Sequence, residues 1–133
     1  MQNELKRVLP TKKIIMENQK INSNRTSIAV IVGGCSEDGL FAANNLLDTY
    51  DKVLLVDSDW NVLKAAVEKI NAFNNQDKLI PIKADLDSSR DVAQLACLIH
   101  YRYGGTELLI SYESDNSGKH VNLQNALQEL QNA

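Results

Sequence analysis

The chain is poor in cysteine: Cys35 and Cys97 are the only two in 133 residues, and they lie far apart with no metal-ligand spacing. A disulfide framework and a thiolate metal site are not expected, and a reduced, cytoplasmic chain is the simplest reading. Surplus positive charge is also missing. With 14 Lys and Arg against 17 Asp and Glu, the formal net charge is -3, which gives no nucleic-acid signature. Long apolar runs are absent, none approaching the roughly 18 residues of a membrane span. His100 and His120 have no partner at ligand spacing; both read as surface histidines, and no metal site is expected. Internal repeats and low-complexity blocks are missing too.

What remains is the composition of one globular domain, 44% apolar and 23% charged, long enough to bury a core. Its charge is unevenly spread. Residues 1–25 hold six bases against two acids, a net of +4, and residues 26–133 hold eight against fifteen, a net of -7. A basic N-terminal arm (1–25) therefore precedes an acidic domain (26–133). In the arm, Glu4 and Glu17 and the lack of a continuous apolar segment argue against a secretory signal. The arm reads as a tail or surface helix, or over Thr11 to Glu17 as a short edge strand.

From Thr26 onward, two kinds of apolar pattern alternate. Ser27 to Val32, Lys52 to Asp57, Lys78 to Ile82 and Thr106 to Ser111 are short aliphatic runs of the kind buried on both faces of a parallel sheet. Between them, Leu40 to Leu47, Trp60 to Phe73 and a segment from Ser88 or Ser89 to about Tyr103 have helical spacing. A last helix runs from about Lys119 to Leu130. Pro81 has no ladder donor, which places the third strand at or near a sheet edge. Gly104 and Gly105 end the third helix. The alternation predicts an α/β fold: a three-layer Rossmann-like parallel sheet, helices on both faces, right-handed crossovers.

The chemistry concentrates at the first strand-to-helix turn, Gly33-Gly34-Cys35-Ser36-Glu37-Asp38-Gly39. Strand, glycine turn and helix together open a dinucleotide-binding βαβ unit, in which free N–H groups at the helix start face a pyrophosphate. The plainer alternative is a tight turn that needs positive φ and binds nothing. Asp57, ending the second strand, is placed to accept from the ribose hydroxyls of an adenosine, or else to cap the next helix from solvent; Asp85 shares the ambiguity. Cys35 stands at a helix head, where a thiolate gains stability, although a small residue merely filling the turn is the simpler role.

Residues 27–112 resemble the first half of the short-chain dehydrogenase/reductase family. Val30 to Leu40 looks like that family's TGxxxGxG turn, and Asp57 matches the acid that binds the adenosine ribose. Ala84-Asp85-Leu86 looks like the Asp-hydrophobic pair beside the adenine, and Tyr103 to Ile110 resembles the approach to the fourth strand. The resemblance implies a truncated sheet of order 3-2-1-4. It also implies a cofactor set of Gly33, Gly34, Ser36, Gly39, Leu40, Asp57, Ser58, Asp85 and Leu86. Asp57 would repel a 2′-phosphate, so NAD is favoured over NADP. Val53 to Leu63 also looks like the acidic pocket of a two-component receiver domain, but Ser111 stands where that fold needs a phosphoacceptor Asp.

Departures from the family pattern point away from catalysis. Glu37 takes the middle glycine position, and at about 4 Å and an effective dielectric near 20 it would repel one phosphate charge by up to about 4 kcal/mol. That is roughly a thousandfold in affinity. Ser111-Tyr112-Glu113-Ser114 replaces the family's Asn-Asn-Ala-Gly. The family's acid-base pair is Tyr-x-x-x-Lys, whereas Leu54, Gly105, Glu107 and Asn116 stand four residues beyond Tyr50, Tyr101, Tyr103 and Tyr112. No catalytic residue is expected.

The expected function is that of a truncated, non-catalytic relative acting in nucleotide binding or protein assembly, with NAD as a candidate cofactor held weakly or not at all. The alternative is the cofactor-binding half of an NAD-dependent oxidoreductase whose catalytic half lies on another chain or is missing from this one. A nucleotide sensor is a third reading. Leu108, Leu109 and Ile110 would form an open apolar edge, expected to be covered by a second copy, another subunit or the basic arm.

Overall fold

A computed structural model of the protein describes residues 13–17, 26–33, 35, 37–71, 77–112 and 119–131. Five strands, β1 (Lys13–Glu17), β2 (Ile28–Val32), β3 (Lys52–Asp57), β4 (Leu79–Lys83) and β5 (Leu108–Ser111), form one sheet of order β1-β5-β2-β3-β4. β2 to β5 are mutually parallel, so the four strands expected from the sequence stand in the 3-2-1-4 arrangement.

The unbroken apolar runs follow from burial on both faces. Ile28, Val30, Val32, Leu54 and Val56 face a core completed by residues of α3 (Ser89–Cys97) and α4 (Lys119–Gln131), among them Val92, Leu95, Leu123 and Leu127. Ala29, Ile31, Val53 and Leu55 point the other way, onto Ala43 of α1 (Glu37–Leu46) and Leu63, Ala66 and Ile70 of α2 (Trp60–Asn71). Two helices cover each face, giving three layers. Each fully buried aliphatic side chain contributes roughly 1.5–3 kcal/mol. Among the described residues β4 pairs with β3 alone, and Pro81 lies opposite Leu55, at the edge position its missing donor demands.

The other edge is closed from within the chain. β1 runs antiparallel to β5, pairing Lys13 with Ser111, Ile14 with Ile110, Met16 with Leu109 and Glu17 with Leu108, with a register shift between Ile14 and Met16. Of the three covers expected for Leu108, Leu109 and Ile110, this is the third: a strand of the basic arm, within the stretch read as a short edge strand.

Local boundaries differ at several element ends. β5 begins at Leu108, not Thr106; Thr106 and Glu107 are buried, and Glu107 N–H still donates to Ile28 O at 3.0 Å. Glu107 Oε1 accepts the Ile28 N–H at 2.8 Å, and Thr106 Oγ1 lies 2.9 Å from Ile28 O. α1 begins at Glu37, three residues before the apolar stripe does, with Glu37 and Asp38 in a first turn whose dipole favours acids. α3 closes in a π-helical turn, Leu98–Arg102, after which Gly104 (φ 80°) and Gly105 (φ 112°) bond back to His100 O and Ile99 O, both at 3.0 Å. The tail of the helix expected to reach Phe73 lies outside the described residues. Among the described residues, no helix is long and apolar enough to cross a membrane, and no group of three His, Cys, Asp or Glu side chains is placed to hold a metal ion.

Candidate functional site

Parallel pairing sets the carboxyl ends of β2, β3 and β5 side by side, with β4 beyond β3. Three backbone bonds lock them: Gly33 N–H to Val56 O (3.1 Å), Ala84 N–H to Asp57 O (3.0 Å) and Tyr112 N–H to Val32 O (2.8 Å). Gly33 turns the chain away from β2 with φ 69°, a left-handed value that a Cβ would disfavour. Above these ends lies a cleft lined by Val32, Gly33, Val56, Asp57, Ser58, Ala84, Asp85 and Leu86. Aliphatic groups form its floor and two carboxylates stand on its rim.

Five of the nine residues read as a cofactor set, Gly33, Asp57, Ser58, Asp85 and Leu86, line this one cleft. Gly39 is buried in the first turn of α1 and Leu40 is half-buried beside it; neither is part of the lining. Gly34 and Ser36 lie outside the described residues.

Local bonding fixes each acid. Asp57 Oδ1 accepts the Asp59 N–H at 3.0 Å, and it is Asp59, not Asp57, that caps α2, its Oδ1 accepting from Asn61 N–H at 2.9 Å. Asp85 Oδ1 accepts the Asp87 N–H, and Asp91 Oδ2 accepts the Asp85 N–H, both at 2.9 Å. Ser88 caps α3 by accepting the Asp91 N–H at 3.2 Å. Asn122 of α4 donates to Leu86 O at 3.1 Å, tying the fourth helix to the loop after β4.

Cys35 is half-buried in the glycine turn and donates a hydrogen bond to the Asp57 carboxylate. Burial first, then the Asp57 charge and that hydrogen bond, then the Asp59 charge, push its thiol up from 9.0 to about 12. The thiolate that a helix head would stabilise is thus suppressed by burial and, after it, by the acids across the turn. Tyr112, nearly buried at the end of β5, is also pushed up, by burial and then by the Asp38 charge. Glu37 itself is exposed. At the dielectric of water the repulsion of a phosphate 4 Å away falls to about 1 kcal/mol, well below the value for a partly buried carboxylate.

No protein-family model and no curated protein sequence matches the chain. Solved structures do. A metagenomic short-chain oxidoreductase in complex with NADP superposes with a TM-score of 0.54 at 24% identity, over 65% of this chain and 39% of that one. A short-chain dehydrogenase/reductase of the glucose/ribitol dehydrogenase type from Brucella melitensis gives 0.50 at 22% identity, over 68% and 35%. The NADP-bound N-domain of a bacterial malonyl-CoA reductase gives 0.54 at 18% identity, over 62% and 15%. The chain has the Rossmann-like α/β fold of these short-chain dehydrogenase structures. It spans between about a seventh and two fifths of the length of these three structures.

Within that short-chain dehydrogenase fold, sequence reasoning missed the Cys35–Asp57 contact. Its signal was the parallel register Val32 to Val56, which brings the residues just past each strand end together. The Asp91 support of Asp85 had the Ser88 cap as its signal, since a residue three beyond a cap faces back over the preceding loop.

Proposed function

We propose that the chain is a non-catalytic nucleotide-binding domain on the short-chain dehydrogenase fold, taking an adenosine-containing ligand such as NAD and acting in binding or assembly. The observation that carries this reading is the convergence of Gly33, Asp57, Ser58, Asp85 and Leu86 on one cleft. An apolar floor suits an adenine face, and carboxylates suit hydroxyl and amine donors. Asp57 also disfavours a 2′-phosphate, so NAD ranks ahead of NADP. The lack of any Tyr-x-x-x-Lys in these 133 residues supports a role without chemistry. A cytoplasmic setting, and self-association or a protein partner, belong to the same proposal.

Trp60, the only tryptophan, opens α2 three residues beyond Asp57 and is 45% exposed, so its emission reports on this loop. Titration with NADH, NAD and NADP is expected to give a dissociation constant below roughly 100 μM for the first two, about -5.5 kcal/mol, with NADP weaker. Flat titrations at millimolar ligand would refute the site. Oxidation or reduction of a carbonyl/alcohol pair by the chain alone would refute the non-catalytic role. A second reading is the cofactor half of an NAD-dependent oxidoreductase whose catalytic half lies on another chain or is missing from this one, in keeping with the fold shared with short-chain oxidoreductases. Co-purification with a chain carrying Tyr-x-x-x-Lys, and hydride transfer only by the pair, would establish it.

A further inference from the structure

β1 closes the β5 edge and in doing so presents an edge of its own. Among the described residues it pairs with β5 alone, so its outer side carries no ladder. The strand reads Lys13-Ile14-Ile15-Met16-Glu17, three apolar residues between opposite charges. Its register against β5 shifts between Ile14 and Met16, which leaves Ile15 as the residue without a partner there. Backbone groups left out of one ladder are paired elsewhere, with water or with another strand. The sequence of β1 favours a strand, because it is complementary to itself. Laid antiparallel to a second copy about a two-fold axis at Ile15, it sets Ile14 opposite Met16 and Lys13 opposite Glu17, and each pair occurs twice. A slip of one residue sets a charge opposite an apolar residue, Lys13 on Met16 or Glu17 on Ile14. Opposite charges directly across a ladder attract and like charges repel. A bulge can instead turn an edge away from neighbours, an alternative that the oligomeric state decides.

Deepening the self-association already proposed and resting on it, we infer that the partner is a second copy of this chain and that the surface is the outer edge of β1. The two five-stranded sheets join into one through β1, with Ile15 on the two-fold. The β4 edges then stand at both outer ends, each with Pro81, which has no N–H to offer a further strand. Association therefore stops at two. The copies run in opposite directions, so their clefts open at opposite edges of the joined sheet.

Sedimentation of the full chain over a hundredfold range of concentration is expected to show a reversible monomer–dimer equilibrium in the micromolar range, weak as a small interface is. Ile15→Pro removes an N–H at the residue that β5 does not pair, so it should abolish the dimer and keep the fold. Glu17→Lys turns two attractive pairs into two repulsive ones and should weaken the dimer roughly tenfold at low salt. Adding Lys13→Glu exchanges the charges and should restore it. The partners of these two residues on β5, Ser111 and Leu108, are uncharged, so the β1–β5 ladder is indifferent to the exchange. A chain monomeric at every concentration would overturn the inference and the self-association with it. A dimer indifferent to Ile15→Pro or to Glu17→Lys, or one that the double exchange fails to restore, would overturn the inference alone and leave self-association through another surface.

Discussion

Cys35 should react slowly for a half-exposed thiol, because burial first and the Asp57 and Asp59 carboxylates second hold its proton. A thiol titrating at about 12 in place of 9.0 is ionised near pH 8 to roughly one part in ten thousand in place of roughly one in ten, about a thousandfold less thiolate. The thiolate that does form is the stronger nucleophile. With a Brønsted slope near 0.4–0.5 this returns roughly twentyfold to thirtyfold, leaving a net deficit of about thirtyfold to fiftyfold. Cys97, exposed on α3, is the internal reference in the same molecule. Pulsed iodoacetamide labelling of the folded chain, read by peptide mass spectrometry, gives both rates at once. Cys35 is expected to lag Cys97 severely near pH 8 and to keep accelerating beyond pH 10. Asp57→Ala removes one charge and the hydrogen-bond acceptor but not the burial, the largest cause, so it should speed Cys35 severalfold without bringing it level. Equal labelling of the two cysteines in the wild type, or no response to Asp57→Ala, would refute the placement of Cys35 against the carboxylate.

The same proton sets an alkaline limit on stability. The folded thiol holds its proton to about 12 while the unfolded one loses it from 9.0, so this contribution is complete below pH 9 and is lost as pH rises toward 12. Tyr112 acts in the same direction; Cys35→Ala should flatten the decline in urea midpoint above pH 9, and an unchanged slope would refute this account. Glu107→Ala leaves the Ile28 N–H without its acceptor at a buried strand start, at an expected cost of about 1–3 kcal/mol. Glu107→Gln, which keeps an acceptor, should cost less, and equal urea midpoints for wild type and Glu107→Ala would count against the bond. Deleting residues 1–17 removes β1 and bares Leu108 to Ile110; sedimentation should then show concentration-dependent association, whereas a stable monomer would show that β1 is not needed to protect this edge.

How much of this was legible in the sequence depended on where the determining contacts lie. Val53-Leu54-Leu55-Val56 could be read as a strand because burial on both faces leaves no polar residue to break the run. Pro81 announced an edge because its missing N–H is a local fact. The start of α1 at Glu37 was hidden because the apolar stripe marks only the face that packs, and a first turn of acids packs nothing. Thr106 and Glu107 looked like strand residues because they lead straight into the apolar run; that their side chains also bond the start of β2 depends on partners 78 and 79 residues away. Cys35 against Asp57 is a contact between two loops; each residue was singled out, but nothing local to either names the other.

β1 does more than close an edge, because of the direction in which it runs. Being antiparallel, it places Lys13 opposite Ser111, at the sheet edge where β2, β3 and β4 deliver their carboxylates, and Glu17 opposite Leu108 at the far edge. The chain therefore enters the sheet on the side of the cleft, and three of the bases of the +4 arm, Lys6, Arg7 and Lys12, precede that point. Two deletions separate the roles. Removing residues 1–17 strips both strand and charge; removing residues 1–12 keeps the strand and strips the charge. If the arm lends its bases to the cleft, the shorter deletion leaves the sedimentation of the chain unchanged and weakens NADH binding at low salt. If NADH binding is unchanged, the arm serves the sheet edge alone.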